Sequence, residues 1–436
     1  MNAREAALST LLKTAQSRGY SNIELDTAIK KFELCGVERS FFTALFYGVI
    51  ERKITLDYYI PLLSSRRIDE IDIKVLTILE MGIYQLNFMD KVPESAAVNE
   101  AVKLCERFYA PKNSGAFVNA ILRSFIRQKD TLALPDKKKD EIRYLSVAYS
   151  VPEWICKLWR DEFGKSCEHL LASLSHSPRM TLRANTLKIS SSELAKRLCD
   201  NGIPAKVTPI APHGVKLEST ISTEELGIDS GDFFVQDEAS QICVAALGAR
   251  EGDTIIDCCA CPGGKSVGAA MDMNNKGSIL SLDLHKNKLG LISGAAERLG
   301  ISIIKTDVQN GAKERDDMPC ADKIICDVPC SGLGVISKKP DIRYKKPEDV
   351  EHLPSLQLSI LKTNAKYLRS GGDLIYSTCT LRRAENEDVV TSFLKENTDF
   401  SLAPFDVGEL HSDGMCVLLP QIHKTDGFFI AKLHKN

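Results

Sequence analysis

Two cysteines stand in segments that could carry covalent chemistry. Cys330 lies in DVPCSG (327–332) and Cys379 in YSTCT (376–380), each directly after a predicted strand. Pro329 and the glycines that follow Cys330 favour a rigid exposed loop over a core strand. Near Lys265 or Arg382, a thiolate in such a loop would have a lowered pKa and would be a nucleophile. The competing interpretation is coincidence, because the chain has 14 cysteines.

A glycine turn forms a second candidate site. The segment DCCACPGGKS (257–266) follows a predicted strand and opens a predicted helix, an arrangement that lets backbone approach a ligand closely. A P-loop would need glycine at the position of Cys259, which disfavours a nucleoside triphosphate. A nucleoside cofactor fits better: Asp283 stands 19 residues after Gly264, where an acid can bind ribose hydroxyls. Asp307, after the next strand, could receive the adenine amino group.

The elements that must position these residues begin near residue 231. Seven predicted strands are separated by helical stretches, notably 285–298 and 350–369. This alternation favours a doubly wound, mostly parallel α/β sheet. Ligands of such sheets bind beyond the carboxyl ends of the strands. The predicted strands are Thr254–Ile256, Ser278–Leu282, Ile301–Lys305, Lys323–Cys326, Asp373–Tyr376, Met415–Leu419 and Phe428–Leu433.

Two further parts precede this sheet. Residues 1–128 predict an all-α bundle, because apolar residues such as Val75, Ile78 and Leu79 recur at helical spacing. Residues 129–230 predict a polar linker followed by a small α/β module. Its strand-like segments are Thr181–Ala184, Ala205–Thr208 and Val215–Leu217, and Ser190 with Glu193 forms a capping box before a helix.

Composition limits the class of protein. With 436 residues, 44% hydrophobic and 26% charged, the chain predicts two or three globular domains and excludes a disordered or disulfide-scaffold protein. No stretch approaches the roughly 18 apolar residues of a membrane span, and no secretory signal is visible, so we expect a reduced cytoplasmic setting. The CxxC of Cys258 and Cys261 lacks a second ligand pair, so no metal is expected.

Basic residues cluster after the Cys330 segment, although the net charge is −2. A polyanion partner would therefore meet a local basic patch. The cluster is either a solvated face or a track for nucleic-acid phosphates, and we favour the track. Arg179 and Arg183 in the middle module are weaker candidates for RNA contact. The members of the cluster are Lys338, Lys339, Arg343, Lys345 and Lys346.

Together, the segments DVPCSGLG (327–334), STCT (377–380) and CACPGGK (259–265) resemble the Nol1/Nop2/Sun family of RNA cytosine-C5 methyltransferases. FVQDEAS (234–240) and DGFF (426–429) look like the flanking motifs of that family. The resemblance covers residues 140–436, and the helical first part is similar to a NusB-type RNA-binding domain. The departures are Val328 where alanine is usual, and Cys258 and Cys261 where leucine and alanine are usual.

The resemblance implies a fold and a cofactor. The fold is an all-α NusB-like domain (1–128), a linker with a small α/β RNA-contacting module (129–230), and a Rossmann-like class I methyltransferase domain (231–436) with a seven-stranded, mostly parallel sheet. The cofactor is S-adenosyl-L-methionine. Its expected contacts are Cys259, Ala260, Cys261, Pro262, Gly263, Gly264, Lys265, Asp283, Asp307 and Asp327.

It also implies a reaction and a substrate. Cys379 would add to C6 of cytosine, Asp327 would bond the N3/N4 edge of the base, and Cys330 would assist release of the methylated product. The expected substrate is a loop of unassembled 16S rRNA, bound by a monomer. The alternatives are a tRNA cytosine-C5 methyltransferase and a catalytically silent RNA-binding assembly factor.

Overall fold

The computed structural model describes residues 2–17, 21–108, 110–175, 179–219, 221, 223 and 225–436. The chain forms two compact units. Met1–His176 with Ile336–Lys345 is named the helical unit here, and Ser177–Val335 with Lys346–Asn436 the sheet unit. The finer limits at residues 128 and 230 stay predictions.

The described part of the helical unit is built mainly from α-helices, and those within residues 3–128 surround one hydrophobic core. The predicted apolar stripe is confirmed, since Val75, Ile78 and Leu79 are all buried. The Asp72 side chain caps the helix that carries them by accepting from the amides of Lys74 and Val75. The helices are α1 Ala3–Ser17, α2 Ser21–Lys31, α3 Gly36–Leu63, α4 Ile73–Phe88, α5 Glu94–Arg107, α6 Ser114–Gln128, α7 Glu141–Tyr149, α8 Glu153–Phe163 and α9 Cys167–Ser173.

The segment Ile336–Lys345 completes the helical unit from far along the chain. The Tyr344 hydroxyl donates to the Ile50 carbonyl of α3. Trp154 Nε1 donates to the Lys345 carbonyl at 3.0 Å, and Ser21 Oγ donates to Asp341 at 2.5 Å. The segment is therefore anchored to α2, α3 and α8.

A four-stranded antiparallel sheet begins the sheet unit, in the order β2-β3-β1-β4. The capping box before its helix is confirmed: Glu193 N donates to Ser190 Oγ at 3.2 Å, and Ser190 N donates to Glu193 Oε2 at 3.0 Å. The strand β4 was not predicted, because three residues are too few to show alternation. The elements are β1 Thr181–Ala184, α10 Ser191–Asp200, β2 Ala205–Val207, β3 Gly214–Leu217 and β4 Phe233–Val235.

The large sheet follows, in the order β10-β14-β9-β8-β5-β6-β7 with β13 paired to β14. Strands β5 to β9 run parallel, and β14 is antiparallel to β9. Its strands are β5 Thr254–Asp257, β6 Ser278–Asp283, β7 Ile304–Val308, β8 Ala321–Asp327, β9 Leu368–Thr378, β10 Phe400–Leu402, β13 Met415–Leu418 and β14 Phe428–Lys435. Strands β11 Phe405–Val407 and β12 Leu410–Ser412 pair with each other in a separate two-stranded antiparallel sheet. The helices are α11 Glu238–Leu247, α12 Gly264–Asp272, α13 Leu289–Leu299, α14 Leu353–Ala365, α15 Glu387–Glu396 and α16 Pro420–His423.

The predicted fold class is confirmed, with two differences of detail. The sheet has eight strands rather than seven, because the short edge strand β10 carries no visible pattern. The third parallel strand lies three residues later than predicted, since Ile301 instead packs into the core directly after the helix cap Gly300. In the described part of the chain, no helix is long and apolar enough to cross a membrane.

Candidate active site

The two cysteine segments meet at one edge of the large sheet. Strands β8 and β9 are parallel neighbours with Asp327 opposite Ser377, so the segments that follow them leave side by side. The Cys330 and Cys379 sulfur atoms are 3.3 Å apart. The Gly334 amide donates to the Cys379 carbonyl at 3.0 Å and ties the two segments together. The structure thus brings the two predicted thiols into contact.

The ionisation of Cys330 differs from the expectation. Its bond to the Cys379 sulfur and its burial raise the pKa of Cys330 well above the ordinary value. The expected lowering is wrong for this cysteine because both cations are engaged elsewhere. Lys265 Nζ pairs with Asp327 at 2.6 Å, and Arg382 Nη1 donates to the Val350 carbonyl at 2.9 Å. Cys330 therefore keeps its proton and can donate it to the Cys379 sulfur.

Asp327 is held from two sides at the end of β8. Lys265 Nζ bonds Oδ2, and Ser377 Oγ donates to Oδ1 at 2.8 Å. Burial opposes the charged form of Lys265, but the Asp327 carboxylate outweighs it and keeps the pKa of Lys265 above its ordinary value. The ammonium also lies 5.2 Å from the centre of the Phe428 ring. The result is an oriented ion pair whose carboxylate remains 31% exposed.

The glycine turn after β5 is shaped by its backbone. Gly263 has φ +108°, and a Cβ there would lie 3.1 Å from an Ile292 side-chain atom, so only glycine fits without strain. The Ala260 amide donates to the Leu282 carbonyl at 2.8 Å, which fixes the turn to the end of β6. Asp283 Oδ2 accepts from the Cys261 amide at 3.2 Å. The turn and the half-buried Asp283 thus form one cradle.

A buried carboxyl supports this cradle from below. Ser266 Oγ donates to Asp257 Oδ2 at 2.6 Å, and Ser281 Oγ donates to Ser266 Oγ at 2.7 Å. Burial raises the pKa of Asp257 to about 7, although the Ser266 bond lowers it and the nearby Asp327 charge raises it further. This chain of bonds connects β5, α12 and β6 under the turn.

Asp307 lies at the next strand. It belongs to β7 rather than following it, and it is half-buried. Arg315 Nη1 pairs with its Oδ2 at 2.7 Å, and this bond holds the pKa of Asp307 below its ordinary value. A ligand amino group at Asp307 would therefore meet a carboxylate that already has a partner.

Known proteins are similar in sequence to this chain along its whole length. "Probable ribosomal RNA small subunit methyltransferase B" of Bacillus subtilis (strain 168) is 37% identical over 447 residues, covering 100% of this chain and 99% of that protein. The protein of the same name from Synechocystis sp. (strain ATCC 27184 / PCC 6803 / Kazusa) is 35% identical over 450 residues, with 100% of both chains covered. This chain belongs to the ribosomal RNA small subunit methyltransferase B family.

Family models match the successive parts of the chain. The model "16S rRNA methyltransferase RsmB/F" matches residues 244–434, the NusB family residues 1–127, and the ferredoxin-like domain of RsmF/B-like methyltransferases residues 151–224. The crystal structure of PH0851 has a TM-score of 0.82 at 25% identity and covers 99% of this chain and 98% of its own. A methyltransferase homologue from Pyrococcus horikoshii has a TM-score of 0.59 at 27% identity and covers 68% and 99%.

The cofactor of this methyltransferase B family member is S-adenosyl-L-methionine, and the cradle fits it. The half-buried Asp283 carboxylate suits ribose hydroxyls, and the bare Gly263 and Gly264 leave room for close approach. Leu284 is 58% exposed directly after Asp283, where an apolar side chain can cover an adenine face. Sequence reasoning missed Leu284, whose signal is an apolar residue directly after a strand-end acid. It also gave no role to Ser377 or Phe428, although both lie in recognised motifs.

The prediction of RNA contact is wrong for two of the residues named for it. Arg183 is 1% exposed and pairs with Asp272, and Arg343 is 3% exposed and donates to the Ile336 carbonyl at 3.3 Å. Neither guanidinium can reach a phosphate. The basic cluster is also divided, since Ile336–Lys345 belongs to the helical unit and Lys346 to the sheet unit. Of the other candidates, Arg179, Lys339 and Lys346 are exposed, and Lys338 and Lys345 are half-buried.

Proposed function

We propose that this methyltransferase B family member methylates C5 of a cytidine in small-subunit (16S) rRNA through a covalent bond between Cys379 and C6. The observation that carries the proposal is the pair of sulfur atoms 3.3 Å apart, next to the oriented Asp327–Lys265 ion pair. One thiol can act as the nucleophile while the second handles a proton. A methyltransferase acting on a stronger nucleophile would need neither.

Cys379 supplies the nucleophile that cytosine chemistry requires. C5 of cytosine is too weak a nucleophile to attack a methyl donor directly. Addition of the Cys379 thiolate to C6 forms a C–S bond and moves electron density to C5. S-adenosylmethionine, when bound, supplies the electrophilic methyl group that C5 then takes. A base, a role that water can fill, then takes the C5 proton. The electron pair of the C5–H bond forms the C5–C6 double bond, and the pair of the C6–S bond returns to Cys379 as the thiolate.

The ion pair of Asp327 and Lys265 supports the addition. Negative charge develops at N3 when the thiolate adds to C6. Asp327 is oriented by Ser377 and Lys265 to bond the N3/N4 edge, and the proton shared by the pair can neutralise that charge. The pair is fixed before the substrate arrives, so little reorganisation accompanies the reaction.

Cys330 is suited to product release. Its raised pKa keeps a proton on its sulfur at neutral pH, next to the sulfur that must leave C6. The thiol can stabilise the departing Cys379 thiolate by donating a hydrogen bond. The base must be single-stranded or flipped to reach both thiols, which favours unassembled rRNA over a folded particle.

The first test is methyl transfer from labelled S-adenosylmethionine into separate pools of protein-free small-subunit rRNA, large-subunit rRNA and tRNA. Digestion to nucleosides should give 5-methylcytidine from small-subunit rRNA only. Label confined to tRNA would overturn the substrate and retain the chemistry. No label in any pool, with cofactor binding intact, would refute the proposal.

Substitutions separate the roles of the thiols. Cys379→Ala should abolish methylation, whereas Cys330→Ala should leave the protein covalently attached to RNA, as a slow gel band that resists denaturants. Cys320→Ala is the control, because Cys320 is an exposed thiol just before β8. If the Cys379 variant gave the trapped band instead, Cys330 would be the nucleophile and Cys379 the residue that assists release.

A further inference from the structure

A buried carboxylate lies behind the Cys330 segment. Glu385 has no exposed surface, and its Oε2 accepts from the Ser331 amide at 2.8 Å and from Gln357 Nε2 at 2.9 Å. Gln357 Nε2 also donates to the Pro329 carbonyl at 3.0 Å. The backbone groups on both sides of Cys330 are therefore bound, directly or through Gln357, to one carboxylate.

The same turn also holds the Cys379 segment. The Tyr376 hydroxyl donates to the Glu385 carbonyl at 2.6 Å. The neighbouring Asn386 donates through Nδ2 to the Thr380 carbonyl at 3.0 Å and accepts from the Thr378 hydroxyl at 2.6 Å. The residues on both sides of Cys379 are thus bound to Asn386, the residue that follows Glu385.

Burying the Glu385 carboxylate costs desolvation free energy that an apolar side chain at this position would not cost. Removing a carboxylate from water is unfavourable unless hydrogen bonds and a cation compensate. Here the compensation is the two donors on Oε2 and the Arg382 Nη1 atom 3.6 Å from Oε1. An apolar side chain could fill the same space, but it could not bind the Ser331 amide.

We propose that Glu385 is a positioning residue that holds the Cys330 segment against the Cys379 segment, so that the two sulfur atoms stay in contact while product is released. The release step rests on the proposed function, whereas the positioning is a property of the protein alone. In addition to the Cys379 bond and burial, the negative charge of Glu385 helps to keep the pKa of Cys330 raised.

The test measures the distance between the thiols through their own chemistry. Diamide oxidises two adjacent thiols to a disulfide. The two sulfur atoms form a bond, and the two electrons and two protons that the thiols lose reduce the N=N bond of diamide to the hydrazide. Peptide mapping follows the rate at which the Cys330–Cys379 disulfide forms, in the absence of RNA and at a temperature where every variant is folded. The variants are Glu385→Ala, Glu385→Gln and, as control, Asp373→Asn, which loses a half-buried carboxylate paired with Lys323 in the same strand as Ser377.

Glu385→Ala should slow disulfide formation about 10²-fold, the effect of displacing reacting groups by roughly 1 Å. Glu385→Gln should restore the rate, because its amide oxygen can accept both hydrogen bonds, and Asp373→Asn should match the wild type. If Glu385→Ala does not fold, Gln357→Met replaces it: the variant keeps the volume, loses both donations and should also slow the reaction. A folded Glu385→Ala or Gln357→Met variant with the wild-type rate would overturn the proposal.

A second measurement connects positioning to release. With a small-subunit rRNA substrate, Glu385→Ala should accumulate the denaturant-resistant protein–RNA band, and Asp373→Asn should not. If the Glu385→Ala variant released its RNA product as rapidly as the wild type, the proposed role of Glu385 in product release would be overturned. If the wild type methylates no RNA, the proposed function fails, but the disulfide rates still decide whether Glu385 positions the thiols.

Discussion

Replacing Arg183 by Met should destabilise the sheet unit without changing the RNA affinity of the folded protein. The guanidinium is buried, donates to the Gly268 carbonyl at 3.1 Å and pairs with Asp272 at 2.5 Å. Methionine keeps the apolar stem of the side chain and removes both interactions. The variant therefore separates a structural role for Arg183 from the RNA contact that the sequence suggested.

The size of the effect follows from the partners left behind. Breaking a buried ion pair by removing one member costs about 3–5 kcal/mol. Asp272 is 16% exposed, with His213 Nε2 3.6 Å away, so the lower end, about 3 kcal/mol, is expected. Part of that cost is the unpaired charge of Asp272. Adding Asp272→Asn to the Arg183→Met variant should therefore recover about 1 kcal/mol.

Urea unfolding, followed by circular dichroism, measures the stability, and filter binding at several salt concentrations measures the RNA affinity. Arg179→Met is the matched control, because Arg179 is an exposed arginine in the same module. If Arg179 contacts a phosphate, its loss lowers the salt slope by about one, while Arg183→Met leaves the slope unchanged. An Arg183 variant with wild-type stability and weakened RNA binding would refute the structural interpretation.

Three further predictions each concern one position. Gly263→Ala should weaken S-adenosylmethionine binding at least about tenfold, because φ +108° and the nearby Ile292 oppose a Cβ; unchanged affinity in titration calorimetry would contradict this. The pKa of Asp257 is about 7 in the folded protein and 3.8 in the unfolded chain. Asp257 therefore contributes fully to the stability of the wild type below pH 3.8, and this contribution is lost as the pH rises through 7. The stability of Asp257→Asn relative to wild type should therefore rise by up to about 4 kcal/mol from pH 4 to 8 in urea unfolding, and a constant difference would contradict the raised pKa. Lys346→Ala should lower the salt slope of RNA binding by about one, whereas the same change at buried Arg343 should not; equal slopes in both variants would remove Lys346 from the RNA contact.

Local patterns predicted much of the candidate site. Cys330, Cys379 and Asp327 could be placed at one sheet edge because each lies at or just after the end of a strand, and ends of parallel strands meet. Arg183 was misjudged because a short strand of mixed residues does not reveal that both of its faces are covered. Glu385 gave no signal, since its partners Ser331 and Gln357 are 54 and 28 residues away along the chain.

The segment Ile336–Lys345 has a consequence for the order of synthesis. Ribosomes deliver the chain from its first residue, yet the helical unit includes residues that follow four strands of the large sheet, β5 to β8. Most of the sheet unit, Ser177–Val335, must therefore be translated before the partners of Ile50 and Trp154 emerge. The N-terminal fragment made alone would keep those surfaces uncovered, and a peptide of residues 336–345 should bind it.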